Sequence, residues 1–239
     1  MLSKQTIDNM ASYQQHYAEH GWVRIDNYFD EAVIGEFSTA ITKLKDDVQR
    51  WQLATLVQGQ AFKASVNKYL GQPPQVRSHF IAELLRYAQQ NDFQYFYEFI
   101  RIVSEKGQAP AECEYIANIM GDDNHLQTLK DLVNDQSVVQ LDAHLTGYKS
   151  GHFLKRHSDD GYKAERTRKV AYVLSMSEGW QADWGGLLHL QNNHNQIEQT
   201  FVPTYNTIIL FKVPTPHFVS QVTNFCPDTR FSLTGWLWE

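Results

Sequence analysis

Three side chains in this sequence have the chemical types and the spacing of a metal site. His157 and Asp159 are separated by a single residue. Residues i and i+2 of an extended chain point to the same face, so the two can grip one ion. His217 follows further along the chain, directly after a Pro-Thr-Pro turn. Two imidazoles and one carboxylate leave open coordination positions, which suits an Fe(II) ion that must also bind O₂ and a co-substrate.

A positive charge on the last predicted strand indicates an anionic ligand beside that metal. Arg230, Ser232, Thr234 and Trp236 share one face of a strand over 230–238 because side chains alternate with a period of two. The planar fork of arginine binds a carboxylate through two parallel bonds, and an inward Arg without an anion would be costly. Residues 224–228 look like a turn, so we expect Arg230 to fold back beside the strand that carries His217.

Helical patterns dominate the sequence up to residue 136. Apolar spacing predicts helices over 31–47, 76–89 and 125–133, with Asp30 as the N-cap of the first. One strand is expected over 22–25. The aromatic stretch 93–104 favours a helix, with a strand as the alternative. We interpret its aromatic residues as core rather than as a substrate platform; these are Phe93, Tyr95, Phe96, Tyr97 and Phe99.

Strand patterns take over after residue 136. Apolar and polar residues alternate over 139–146, and further strands are predicted over 170–176, 187–191, 207–213, 218–222 and 230–238. Short strands at this spacing, with no helix between them, predict an antiparallel sandwich or barrel. The expected organisation is therefore α+β, with a helical support region (1–136) packed on a β-core (137–239) and no flexible linker between the two.

Composition narrows the possible compartments and partners. The 239 residues carry a formal net charge of −6, which argues against a broad electrostatic grip on nucleic acid or on an anionic membrane. A local basic patch around Lys163, Arg166, Arg168 and Lys169 stays open. The only two cysteines, Cys113 and Cys226, form no disulfide framework. With no apolar signal core and no membrane-length apolar run, a cytoplasmic protein is expected.

The order of these motifs resembles the Fe(II)/2-oxoglutarate oxygenases, and specifically their prolyl-hydroxylase-like branch. The first matching segment is Tyr148-x-x-Gly151-x-Phe153-Leu154-x-x-His157-x-Asp159. The second is Trp180-x-x-x-Trp184-Gly185-Gly186-Leu187-Leu188, and the third is Asn206-x-x-x-x-Phe211-x-x-Pro214-x-x-His217-x-Val219-x-x-Val222. The last is Arg230-Phe231-Ser232-Leu233-Thr234-Gly235-Trp236. The resemblance covers the last hundred residues and implies a double-stranded β-helix, a jelly-roll-like barrel with iron at its mouth.

The resemblance also implies roles for individual residues. His157, Asp159 and His217 match the iron ligands, and Arg230 matches the residue that pairs with the distal carboxylate of 2-oxoglutarate. Tyr148 matches a tyrosine that helps to hold this co-substrate, and Ser232 matches a further hydrogen-bond partner of the same carboxylate. One departure is Ser175, which stands where several prolyl hydroxylases carry a second co-substrate tyrosine.

The activity implied by the resemblance is a dioxygenase that uses Fe(II), 2-oxoglutarate and O₂ and releases succinate and CO₂. Its substrate is expected to be a prolyl residue in a protein or peptide. Two alternatives stay open at this point. One is hydroxylation of a free amino acid or another small molecule, and the other is a barrel that binds a ligand without turnover. The oligomeric state and the loops that close over the site are not determined by the sequence.

Overall fold

The computed structural model describes residues 1–90, 93–103, 109–160 and 166–239. Seven α-helices occur in this part of the chain: α1 (Lys4–Asp8), α2 (Met10–His20), α3 (Glu31–Leu44), α4 (Val66–Leu70), α5 (Pro74–Gln90), α6 (Glu114–Met120) and α7 (Asp123–Val133). The first strands are β1 (Trp22–Ile25), β2 (Gln52–Val57), β3 (Gln60–Ser65), β4 (Tyr95–Val103), β5 (Gln140–Leu141), β6 (Ala143–Tyr148) and β7 (Phe153–His157). They are followed by β8 (Arg168–Ser175), β9 (Leu188–Gln191), β10 (Ile197–Phe201), β11 (Thr207–Lys212), β12 (His217–Val219) and β13 (Arg230–Trp238).

The strands form one curled antiparallel sheet with two layers. Its order is β1-β11-β8-β13-β6-β4-β7-β12-β9-β10, with the β2–β3 hairpin attached to β4 and with β5 attached to β13. The sheet turns over where β4 pairs with both β6 and β7. The strands β1, β11, β8, β13, β6 and β4 therefore form one layer, and β7, β12, β9 and β10 form the facing layer.

Alternating side chains of the larger layer pack into two separate cores. In β8, Tyr172 and Leu174 are buried against the helices. Ala171 and Val173 belong to the core between the two layers. The helices supply the matching apolar stripe: Asp30 caps α3 by accepting a hydrogen bond from the Val33 amide at 2.9 Å. The stripe then buries Val33, Phe37, Ile41 and Leu44. The helices thus hold the larger layer from behind and leave its other face to the barrel interior.

The stretch 93–104 forms strand β4 where a helix was favoured; Ser104 lies outside the described residues. Phe96, Ile100 and Ile102 pack into the helix-side core, whereas Tyr97 packs toward the barrel interior. A segment with apolar residues on both faces shows no clear period of its own, so its long-range partners β2, β6 and β7 decide its conformation. The hairpin β2–β3 was also not anticipated. Residues 1–136 therefore contribute four strands to the sheet in addition to the support helices.

The expected position of β13 beside the strand of His217 is wrong. β13 pairs with β6 on one side and with β8 on the other, in the larger layer, while β12 pairs with β7 and β9 in the facing layer. The turn over 224–228 does not make a hairpin, because the chain crosses from one layer to the other there. Arg230 therefore approaches the site from the opposite wall of the barrel.

No helix within the described ranges is both long and apolar enough to cross a membrane.

In the basic patch left open by the sequence, Lys163 lies outside the described residues. Arg168 is instead turned inward, beside Asp159.

Candidate metal centre and co-substrate pocket

The three candidate metal ligands converge at the mouth of the barrel. His157 is the last residue of β7 and His217 is the first of β12, and the two are directly opposed partners in the antiparallel ladder. Asp159 lies two residues beyond β7 in a left-handed conformation with φ of 59°. This turn brings its carboxylate back toward both histidines. One ligand atom from each residue lies within 4.8 Å of the others.

The two imidazoles are oriented so that they present lone pairs to the carboxylate. His157 Nδ1 lies 3.0 Å from the Lys155 carbonyl oxygen, and His217 Nδ1 lies 2.8 Å from the Thr215 carbonyl oxygen. A carbonyl oxygen only accepts, so Nδ1 carries the proton in each ring and Nε2 carries the lone pair. The Nε2 atoms lie 3.4 Å and 3.5 Å from the two carboxylate oxygens of Asp159.

This donor set fits a divalent cation. The two nitrogen lone pairs repel the anionic carboxylate that they face, unless a cation lies between the three groups. Burial raises the pKa of the Asp159 carboxyl, but His157 and His217 in their protonated forms, together with the hydrogen bond from the Trp236 indole, hold it well below its usual range. Burial, together with the neighbouring His157, lowers the pKa of His217 to about 4, which favours the neutral, ligating form.

Two residues that the sequence did not single out for this role hold the carboxylate of Asp159. The Trp236 indole Nε1 donates a hydrogen bond to Asp159 Oδ2 at 2.8 Å. The Arg168 guanidinium lies 3.9 Å from the centre of the Trp236 ring, and its Nη1 lies 3.6 Å from Asp159 Oδ1. The period of two had placed Trp236 on the inward face. Its contact with Asp159 depends on the crossing between layers, which no local signal reveals.

Arg230 is a buried positive charge without a partner among the described residues. Its side chain is 2 % exposed, its Nε atom has no hydrogen-bond partner, and it forms no ion pair within the described ranges. Its guanidinium lies 5.2 Å from the centre of the Tyr148 ring, and burial lowers the pKa of Arg230. A buried charge of this kind is strongly unfavourable unless an anion joins it. The pocket around Arg230 therefore fits a carboxylate ligand.

The other candidate pocket residues lie around Arg230. Arg230 and Tyr148 are ladder partners, and so are Ser232 and Ser175. The Ser232 hydroxyl is fully buried and has no hydrogen-bond partner. Burial raises the pKa of the Tyr148 phenol, which keeps it protonated and able to donate. The Ser175 hydroxyl lies 3.5 Å from the Ser177 amide nitrogen, at the limit of a hydrogen bond.

A glycine keeps this pocket open. Gly186 has φ of 65°, and a Cβ placed there would lie 3.2 Å from Arg230 Cδ and 3.1 Å from Val222 Cγ2. A larger residue would be strained in this backbone conformation and would crowd the arginine. Gly186 therefore has a direct packing role beside Arg230, whereas a Cβ at Gly185 would meet the backbone of Gln221.

Comparison with known proteins shows a family match for the C-terminal part of the chain. The sequence model described as "2OG-Fe(II) oxygenase superfamily" matches residues 143–238, the span that carries all of the candidate ligands and pocket residues. This part of the chain is therefore similar to the 2OG-Fe(II) oxygenases. Enzymes of this superfamily use Fe(II), 2-oxoglutarate and O₂, in agreement with the cofactors that the sequence indicated. No curated protein sequence matches the chain significantly.

Solved structures of 2OG-Fe(II) oxygenases share the fold along the whole chain. A prolyl-4-hydroxylase from Pseudomonas putida has 19 % identity and a TM-score of 0.59, with 95 % of this chain and 97 % of that chain covered. A prolyl hydroxylase from Trichoplax adhaerens, solved with a hypoxia inducible factor peptide, has 16 % identity and a TM-score of 0.65, with coverage of 99 % and 93 %. The epimerase SnoN of nogalamycin biosynthesis has 8 % identity and a TM-score of 0.59, with coverage of 98 % and 83 %. The predicted double-stranded β-helix with its helical support is thus confirmed.

Proposed function

We propose that this protein hydroxylates a C–H bond of a prolyl residue in a protein or peptide and converts 2-oxoglutarate to succinate and CO₂. In this proposal His157, Asp159 and His217 hold the iron, and Arg230 holds the distal carboxylate of 2-oxoglutarate. The observation that carries the proposal is the unpartnered, buried guanidinium of Arg230 on the wall opposite the His-His-Asp cluster. A ligand-binding barrel without turnover would have no need for a ligand set that leaves metal positions open.

The side chains of the pocket divide the work of holding the co-substrate. Arg230 offers two parallel N–H groups to a carboxylate. The buried Ser232 hydroxyl and the protonated Tyr148 phenol add neutral donors close to that charge. Ser175 is shorter than a tyrosine at its position, and we propose that it takes a secondary place near Ser232. When bound, iron and 2-oxoglutarate supply the oxidising chemistry that places one oxygen atom on the substrate and one in succinate.

The protein's own contribution is positioning and exclusion of water. The indole of Trp236 and the guanidinium of Arg168 fix the direction of the Asp159 carboxylate. The Phe211 ring packs 4.7 Å from the His217 ring and shields it from the barrel side. A ligand set held in this way keeps its geometry while a substrate enters, which lowers the reorganisation that the reaction requires.

The prolyl substrate is supported by the solved prolyl hydroxylases that share the fold. The epimerase SnoN shares it as well, so the fold alone does not determine the reaction. We propose a reducing, cytoplasmic setting, since Cys113 and Cys226 are both free thiols. We also propose that residues 137–239 form the catalytic core and that residues 1–136 support it.

The test is succinate formation from 2-oxoglutarate with Fe(II), measured across prolyl peptides, free proline and other free amino acids. The proposal predicts succinate in amounts equal to hydroxylated peptide. If succinate forms together with a hydroxylated free amino acid, the substrate is a small molecule and not a prolyl peptide. The chain is a ligand-binding barrel instead if it binds 2-oxoglutarate but forms no succinate, either with any of the substrates or without one.

A further inference from the structure

A belt of aromatic rings crosses the face of the sheet beside the metal centre. Each ring lies within 6.4 Å of the next, measured between ring centres. The six rings of this belt, in spatial order, belong to Phe93, Tyr95, Tyr97, Phe99, His144 and Trp236.

The belt begins and ends at the candidate metal ligands. At one end the Phe93 ring lies 5.3 Å from the ring of His157. At the other end the Trp236 indole donates its hydrogen bond to Asp159. The rings therefore border the surface over which a substrate must lie to bring its reacting atom to the metal centre.

Most of these rings remain accessible in the folded protein. Phe93 is 37 % exposed, and Tyr95, Tyr97, His144 and Trp236 are half-buried, whereas Phe99 in the middle of the belt is buried. The opposite side of β4, in contrast, is fully buried against the helices. Accessible aromatic rings in a row are the sequence-tolerant contact surface that proteins use to hold an extended chain, because a ring gives a large contact area at a low cost in side-chain entropy.

Positive charges accompany the belt. The Lys63 ammonium lies 5.1 Å from the centre of the Phe99 ring, and Arg168 lies over Trp236. Arg101 lies on the same face of β4 and is the ladder partner of His144, and its side chain makes no ion pair or hydrogen bond within the described ranges. Two carboxylates near the belt already have partners. Asp159 faces the two histidines, and Asp142 accepts a hydrogen bond from the Trp236 amide at 2.7 Å. In a chain with a net charge of −6, this face complements an anionic ligand.

The length of the belt indicates what kind of ligand it fits. Strand residues rise about 3.4 Å each, so Tyr95 and Arg101 are roughly 20 Å apart along β4. A free amino acid spans about one residue of this length, whereas an extended peptide of about six residues fills it. A small-molecule substrate would leave most of the belt uncovered.

We propose that the belt binds an extended peptide that carries an acidic side chain about four to six residues from the residue to be hydroxylated. Arg101 holds the acidic side chain, and the rings hold the intervening backbone. This inference rests on the proposed function, because it specifies the peptide that the same metal centre would oxidise.

The test measures binding separately from turnover. The full-length protein, kept under nitrogen with Fe(II) and 2-oxoglutarate, is titrated into fluorescent peptides of about eight residues that contain one proline. Two glutamates or two lysines stand about five residues from the proline, and binding is read by fluorescence anisotropy. The glutamate peptide should bind about tenfold more tightly than the lysine peptide, and salt should reduce this preference.

A charge reversal tests the residues themselves. Arg101→Glu should abolish or invert the preference between the two peptides. Lys43→Glu, which makes the same change at an exposed position on the support helix α3, should leave it intact. Circular dichroism must show that both variants are folded; if Arg101→Glu is not, Arg101→Gln provides the same comparison with loss of the charge instead of its reversal.

Two results would overturn the inference: equal affinity of the wild-type protein for the two peptides, or a preference that Arg101→Glu leaves unchanged. Turnover of free proline without peptide binding would overturn it as well.

The proposed function fails in a different way. A glutamate preference that depends on Arg101, without succinate from any substrate, would keep the peptide surface and remove the hydroxylase.

Discussion

Replacing Arg230 by methionine separates its role in the pocket from its effect on the fold. In the ligand-free protein the guanidinium is buried without a counter-ion among the described residues. A methionine of similar length removes the desolvated charge and keeps most of the packing. Such replacements of buried charges stabilise proteins by about 1–4 kcal/mol. Taking the lower end, about 1 kcal/mol, we expect an increase in Tm of about 2–4 °C.

The same substitution should abolish tight binding of 2-oxoglutarate. Losing one partner of a buried, hydrogen-bonded charge pair costs about 2–5 kcal/mol, so the dissociation constant should rise on the order of 100-fold. Arg230→Lys keeps the charge and loses the fork, so it should lie between the two proteins. Iron binding should survive both changes, since the three candidate ligands are elsewhere.

Thermal unfolding with increasing 2-oxoglutarate, at fixed Fe(II) under nitrogen, measures both effects in one assay. Wild-type protein should gain Tm with ligand, whereas Arg230→Met should begin higher and gain little. The matched control is Arg86→Met, because Arg86 is an exposed arginine that pairs with Glu83. The reasoning is refuted if Arg230→Met has a lower Tm without ligand and keeps the wild-type shift with it.

The other predictions concern the metal, the fold and the pH dependence. His157→Ala should abolish Fe(II) binding in calorimetry with the fold intact, and Trp236→Phe, which loses the hydrogen bond to the carboxylate, should weaken it about tenfold; wild-type affinity in either variant would contradict the site. A fragment of residues 137–239 should fail to unfold cooperatively, because it lacks β4, which joins the two layers; cooperative unfolding with iron binding would show that the core is independent. Burial lowers the pKa of His125 to about 4, so the unfolded chain binds a proton that the folded chain does not. Stability should therefore fall as the pH falls from about 6.5 toward 4, by about 2 kcal/mol for this residue between pH 6.5 and 5. His125→Gln, which can still bond to the Tyr28 hydroxyl, should have a shallower pH dependence of Tm, and an unchanged slope would refute this assignment.

The strands after residue 136 could be predicted from the sequence because their signals are local. Alternation in steps of two identifies β6 and the inward face of β13, whereas β8 and β11 are continuous apolar runs bounded by turn residues, since one face of each packs toward the helices and the other toward the barrel. The spacing of His157 and Asp159 is local too, and the match of residues 143–238 to the superfamily agrees with the order of motifs that the sequence showed.

Tertiary structure decided what depends on contacts between distant segments. β4 is a strand because β2, β6 and β7 hydrogen-bond to it, and its apolar residues on both faces give it no local period. Its aromatic residues were expected to be core; Phe96 and Phe99 are buried, but Tyr95 and Tyr97 remain partly accessible beside the metal centre.

Arg230 and Trp236 show the same division of information. Their shared inward face follows from the sequence, since it is set by the alternation of side chains along one strand. Their approach to the site from the wall opposite His217 does not, because the chain crosses between layers after β12. Alternation is a property of neighbouring residues, whereas the layer in which a strand lies depends on the hydrogen-bond partners that it finds far away in the chain.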